Sequence, residues 1–199
     1  MVTIAVLCCA RNSVYHKMDG VECYDTKRDA RSFAGGMPIV AHPPCRAWSA
    51  FCAHQAKPLP GERDLGLWCC DQLRECGGAL EQPAHSRLFS AGGLPMPGTI
   101  SGDLWTMEVW QRWWGYSMKK ATWLCFSRVR AEFVDPPFVL HDSGGLDRRR
   151  QQVMSHNQRA ATCTAFAEWL VAIARNSHGR ELNSSRTGTT DGFGGKPNP

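Results

Sequence analysis

The 199-residue sequence has no Cys-x-x-Cys pair among its ten cysteines, no long apolar run, no internal repeat, and no basic stretch followed by an apolar one near its first residue. The first absence removes the usual spacing of zinc fingers and redox dithiols; Cys8-Cys9 and Cys69-Cys70 are adjacent pairs instead. The stretch Thr3 to Ala10 has strand length and falls far short of a bilayer span. Without a signal-peptide pattern, a cytoplasmic chain with reduced thiols is expected rather than a disulfide framework. Charge is not extreme either. A net charge of +5 and a pI near 8.7 permit a polyanionic partner without demanding one. With 43% hydrophobic and 21% charged residues the chain reads as an ordinary globular domain, and its length suits one such domain.

The pattern predicts an α/β architecture. Thr3–Ala10 reads as a buried strand, broken by Arg11-Asn12-Ser13, where Asn12 or Ser13 can cap a short helix towards Met18. Val21–Asp25 alternates as a second strand, and Gly35-Gly36 turns the chain into a third, Ile39–His42. Arg46–His54 and Glu62–Cys76 are expected helices; in the second, Leu65, Trp68, Cys69, Leu73 and Cys76 fall on one face. Gly77-Gly78 ends that helix, and Ala79-Leu80-Glu81 follows as a short strand stopped by Gln82-Pro83. Strand, helix, strand in this order predicts a parallel crossover. Ala91–Gly102 reads as a Gly/Pro-rich loop, Thr106–Trp110 and Ala121–Phe126 as strands, and Ala161–Arg175 as an amphipathic helix. Residues 1–175 then form one domain, and 176–199, rich in Gly, Ser, Thr, Asn and Pro, a disordered tail.

Chemistry concentrates where the third strand stops. In Ile39-Val-Ala-His-Pro-Pro-Cys45-Arg-Ala-Trp-Ser49 the two prolines can continue neither a ladder nor a helix interior. Cys45 is therefore expected at a strand's carboxyl end and in the first turn of a helix, with Arg46 beside it. Helix N–H groups and a cation both favour thiolate. The plainer reading is an inert core cysteine. Glu81 ends a second parallel strand at the same edge of the sheet, the edge where ligands bind in open α/β folds. A thiolate that adds to carbon 6 of a pyrimidine, and a carboxylate that holds the ring's N3 and exocyclic amine, together make carbon 5 nucleophilic.

Pro43-Pro44-Cys45-Arg46-Ala47-Trp48-Ser49 resembles the Pro-Pro-Cys-Gln-x-Phe-Ser motif of cytosine-5 DNA methyltransferases, and Gly77-Gly-Ala-Leu-Glu81-Gln-Pro83 is similar to their strand ending in Glu-Asn-Val. Trp113–Leu124 resembles the tyrosine/glycine, basic and strand segment of compact phage-type relatives, and the last helix, with Arg159, Thr162 and Thr164 leading into it, stands where that family's cofactor-side helix lies. The resemblance spans about residues 1–175 and implies a Rossmann-like, mostly parallel sheet with flanking helices. It also implies transfer of a one-carbon group to a pyrimidine in DNA or a nucleotide. Cys45 is then the nucleophile and Glu81 the base-contacting acid, with Pro44, Arg46, Ser49, His85, Arg87 and Lys120 as substrate-side residues. S-adenosylmethionine is the implied donor, held by Ala10, Arg11, Asn12 and Asp25. One departure bears on that donor: Leu7–Ser13 lacks the glycines that would let a cofactor approach the backbone. Arg11 can instead receive an anion, and Asp25 can equally cap a turn.

Lys119, Lys120 and Arg148–Arg150 could track a phosphate backbone, and a base in duplex DNA would have to be extruded before Cys45 could reach it. Trp48 or Trp114 could stack on that base, although core packing is the commoner role. Two other classes compete. One is an inactive nucleic-acid-binding relative that has lost its cofactor site. The other is a zinc-stabilised interaction module built on His42, Cys45, Cys52 and His54, a ligand set without standard spacing.

Overall fold

A computed structural model describes residues 1–49, 57–116, 120–137 and 162–177. They form a mixed α/β domain around one seven-stranded sheet, in the order β2-β1-β3-β4-β7-β6-β5. The strands are β1 (Ile4–Cys9), β2 (Val21–Asp25), β3 (Ile39–Ala41), β4 (Gly78–Pro83), β5 (Ile100–Ser101), β6 (Leu104–Trp110) and β7 (Ala121–Ser127). Among the described residues three α-helices accompany them: α1 (Glu62–Cys76), α2 (Leu88–Ala91) and α3 (Thr164–Ser177).

The strands β2, β1, β3 and β4 pair in parallel. β7 joins β4 antiparallel, and β6 and β5 continue as antiparallel neighbours. The order follows from connection length. Crossovers through the 3-10 turn Val14–Lys17 and through α1 allow parallel pairing, whereas short links can only fold strands back. Because β2 lies on one side of β1 and β3 on the other, the chain changes direction across the sheet between β1 and β3. A crevice beyond the strand ends is expected at such a point.

Alternation along the strands sorts side chains to two faces. Ala5, Leu7, Ile39, Ala41 and Leu80 pack with Cys69, Cys70 and Leu73 of α1 and Leu88 and Phe89 of α2. Ile4, Val6, Val40, Ala79, Leu124 and Phe126 pack with Phe166, Leu170, Ile173 and Ala174 of α3. The junction of α1 and β4 requires its two glycines: Gly77 has φ +76°, and a Cβ on Gly78 would run into the Ile39 carbonyl of the adjacent strand.

The structure departs from the sequence reading in several places. The strand expected to stop at Gln82-Pro83 runs through both, which pair with Trp123 and Thr122 of β7, so Glu81 lies inside β4 rather than at its end. The expected Ala91–Gly102 loop contains β5, and α2 ends in it; both are too short to leave a periodic signal. The last helix begins at Thr164 rather than Ala161 and runs on to Ser177, into the expected tail. Arg46, Ala47 and Trp48 form a turn rather than the start of a helix, and residues 50–56 of that expected helix lie outside the described residues. So do 178–199 of the tail.

Candidate functional site

Parallel register brings the predicted acid and thiol to the same rim. Ala41 of β3 pairs with Leu80 of β4, so His42 and the Pro43-Pro44-Cys45 loop leave the sheet beside Glu81. Glu81 shares the α3 face with Ala79, two residues earlier. Its carboxylate is almost fully buried and held on both oxygens. His42 Nδ1 lies 3.3 Å from Oε2, while Gln111 Nε2 donates to Oε1 at 3.0 Å and Lys120 Nζ stands 3.7 Å from it. Gln111 and Lys120 face each other at the end of the β6–β7 hairpin, where Gln111 N donates to Lys120 O at 3.0 Å. His42 Nε2 is 2.9 Å from the hydroxyl of Tyr15, which stands in the 3-10 turn after β1.

Burial pushes the Glu81 carboxyl up, but the Lys120 ammonium and the hydrogen bond and charge of His42 outweigh it and hold the group at about 2. Burial, and then Glu81's charge, push the Tyr15 hydroxyl well above its ordinary value, so it keeps its proton. His42 thus bridges the Tyr15 hydroxyl and the carboxylate through its two ring nitrogens. His42 and Gln111 take acceptor positions, Lys120 adds its charge at 3.7 Å, and an ionised carboxylate, with roughly four such positions, keeps capacity for a further donor.

Cys45 is exposed. Its sulfur nevertheless sits in a partly desolvated neighbourhood: desolvation first, and then the charge of Glu81, raise the thiol, while Lys120 and Arg46 pull it down. This corrects the expectation of a resting thiolate. The residues after Cys45 form a turn, so the partial charge of a helix terminus is missing there, and the Arg46 guanidinium is drawn to Glu62 of α1. The loop that carries the thiol is firmly tied down. Gln82 Nε2 donates to Pro43 O at 2.5 Å, Ser86 Oγ donates to Gln82 Oε1 at 3.0 Å, and Arg87 N donates to Trp48 O at 2.9 Å.

The other sequence candidates separate into groups. Lys120 and the loop residue Pro44 belong to this rim, and Ser49 is the last described residue of the loop. His85 does not converge on Glu81; its ring packs at 5.1 Å from that of Trp123, on the opposite face with Phe89. The side chain of Arg87 is exposed, and its backbone supplies the contact to Trp48. Trp48 is 2% exposed against α1, with Arg63 over its ring, and Trp114 packs on Phe166 and Trp169 of α3; both are core residues. His42 is engaged by Tyr15 and Glu81, whereas Cys52 and His54, like Lys119 and Arg148–Arg150, lie outside the described residues.

On the cofactor side Ala10, Arg11 and Asn12 are exposed at the end of β1. Arg11 Nε reaches across to Thr26 Oγ1 at 3.1 Å. Asp25 Oδ1 accepts the N–H groups of Lys27 and Arg28 at 2.8 and 3.0 Å, which settles its role as a turn cap; these two bonds hold its carboxyl below the usual range. These residues do not fit S-adenosylmethionine. A side-chain bridge crosses the gap between the two loops, one oxygen of the expected ribose acceptor is taken by backbone and the other faces His16, and the cradle has side chains where a close backbone approach needs glycine.

Tyr15, Gln111 and Gln82 were missed as site residues. Gln111 and Tyr15 lie far from Glu81 in sequence and reach it only through strand order; Gln82 alone had a signal, as the polar residue between Glu81 and Pro83.

No protein family, curated protein or solved structure matches the chain.

Proposed function

We propose that the protein is a base-modifying transferase similar to cytosine-5 DNA methyltransferases, acting on a pyrimidine through a covalent adduct between Cys45 and carbon 6. The observation that supports this is the pairing of an exposed thiol, just past the end of β3, with an ionised, nearly buried carboxylate in β4, one residue beyond the last pair of those two parallel strands. The remaining acceptor capacity of Glu81 suits the exocyclic amine of cytosine, a donor that a protonated acid would not accept as well. Lys120 and His42 keep the carboxylate ionised at neutral pH.

The Cys45 thiol gives its proton to solvent, and its sulfur bonds to carbon 6. The electron pair of the 5,6 double bond moves to carbon 5, which then bonds to an electrophile. Loss of the proton on carbon 5 expels the sulfur and restores the ring. The transferred electrophile is a one-carbon group; as its bond to carbon 5 forms, its bond to the donor breaks, and the donor departs with that electron pair. The Rossmann-like description of the sheet, a DNA or nucleotide partner and a cytoplasmic setting all belong to this same reading.

The rival reading, an inactive nucleic-acid-binding relative, draws on the cofactor side of β1 and on the raised Cys45 thiol. An oligonucleotide carrying 5-fluorodeoxycytidine, mixed with the protein and a one-carbon donor mixture, separates the two. A denaturant-stable adduct mapped to Cys45 and lost in Cys45→Ser supports the transferase; binding of the oligonucleotide with no adduct supports the inactive relative.

A further inference from the structure

A second cluster of reactive side chains lies beyond β1, away from Cys45. Cys9 ends β1, His16 stands in the 3-10 turn that follows, and Cys23 lies in β2. The two sulfurs and one His16 ring nitrogen all fall within 4.8 Å of one another. Parallel pairing produces this closeness. Cys9 pairs with Asp25 and Val6 with Cys23, so both thiols share the α3 side of the sheet with Val21, and the turn folds His16 over them.

We propose that Cys9, His16 and Cys23 form a binding site for a zinc-class divalent cation that clips the ends of β1 and β2 together. Thiolate and imidazole are the donor types that such cations select. Asp25 stands beside this trio: its Oδ1 serves the turn, and its Oδ2 faces His16 Nε2 at 3.7 Å. Tetrahedral zinc with bonds of about 2.0–2.3 Å spaces its ligands roughly 3.5–4 Å apart, so the trio closes on a metal by small side-chain shifts, with solvent in the fourth position. The entry path is open, since Cys9 is 4% exposed but Cys23 is half-buried and His16 exposed.

Charge supports the assignment. Two thiolates balance one divalent cation, and Arg28 and Arg11 stand close enough to Cys23 and Asp25 to offset the further charge of Asp25 beside the trio. The Cys9-x6-His16-x6-Cys23 spacing is not a familiar zinc pattern, because the ligands come from three successive elements and not from one knuckle.

The test is titration of the full chain, stripped of metal and kept reduced without oxygen, with Co2+ and then Zn2+. The site predicts one equivalent of Co2+ with a thiolate-to-cobalt charge-transfer band and tetrahedral ligand-field bands. Zn2+ should displace the cobalt and raise the melting temperature. The surface variants His16→Ala and Cys23→Ser should lose the band, while Cys45→Ser and Cys8→Ser keep it. No band in the folded protein overturns the assignment, as does a band that survives Cys23→Ser or disappears in Cys45→Ser. A Cys9–Cys23 disulfide that reforms in air and leaves the reduced protein unable to bind cobalt also overturns it.

Discussion

His42 Nδ1 lies 3.3 Å from Glu81 Oε2, and this contact ties the first residue after β3 to the last buried acid of β4. It also brings Tyr15, from the other side of β1, into the same network through His42 Nε2. Three parallel neighbours thus contribute to one polar rim, and the antiparallel hairpin β6–β7 closes it with Gln111 and Lys120.

The first consequence concerns acid. Glu81 is held at about 2 when folded, against an ordinary value of 4.5. A depressed carboxylate contributes stability that is fully present above its unfolded value and is lost as pH falls through its folded one. For Glu81 that amounts to about 3 kcal/mol at neutral pH. Glu81→Gln, which cannot ionise, should therefore unfold more easily than wild type near neutrality. The gap should close as pH falls from about 5 to 2, as followed by urea denaturation at each pH.

The second consequence concerns the thiol. Glu81's charge raises the Cys45 thiol and Lys120's charge lowers it. Opposite changes in reactivity should follow from removing each. Glu81→Gln should speed alkylation of Cys45 by iodoacetamide several-fold, and Lys120→Met should slow it. The measurement is site-resolved, by mass spectrometry of the Cys45 peptide, because other cysteines also react. Equal rates in both variants would separate the thiol from the carboxylate.

A third prediction rests on Gly66, inside α1. Glycine is a poor residue in a helix interior, and here it makes room: a Cβ would run into the Trp48 indole nitrogen. Trp48 in turn accepts the Arg87 N–H and anchors the loop that carries Cys45. Gly66→Ala should cost about 1–3 kcal/mol, the usual range for overpacking. It should also change the Trp fluorescence, read in the same denaturation series.

Much of this site was legible in the sequence, for physical reasons. Pro43-Pro44 marks the end of β3, so Cys45 had to leave the sheet, and the intervening α1 required β3 and β4 to be parallel; Gln82-Pro83 misled, because both stay in β4 and pair with β7, so Glu81 lies within the sheet. The strands Val21–Asp25 and Ile39–Ala41 and the helix Glu62–Cys76 stand out because their apolar periods are clean. The thiol's state was not legible. It depends on Glu81 and Lys120 across space, and on a turn where local pattern pointed to a helix. Core packing was the commoner reading for Trp48, and the structure has it there; the face His85 takes was hidden, since packing against Trp123 decides it rather than nearness in sequence to Glu81.

The central claim is that Cys45 attacks carbon 6 of a pyrimidine while Glu81 holds the ring, and its most direct test needs no donor. In D2O, a reversible sulfur adduct lets carbon 5 take up a deuteron and lose its proton before the sulfur departs. The protein should therefore exchange the 5-hydrogen of cytosine in a single-stranded oligonucleotide, seen as loss of its proton NMR signal. The rate should rise with pH as the thiol ionises, and Cys45→Ser and Glu81→Gln should each abolish it. A 5-hydrogen that exchanges no faster with wild type than with Cys45→Ser would contradict the account.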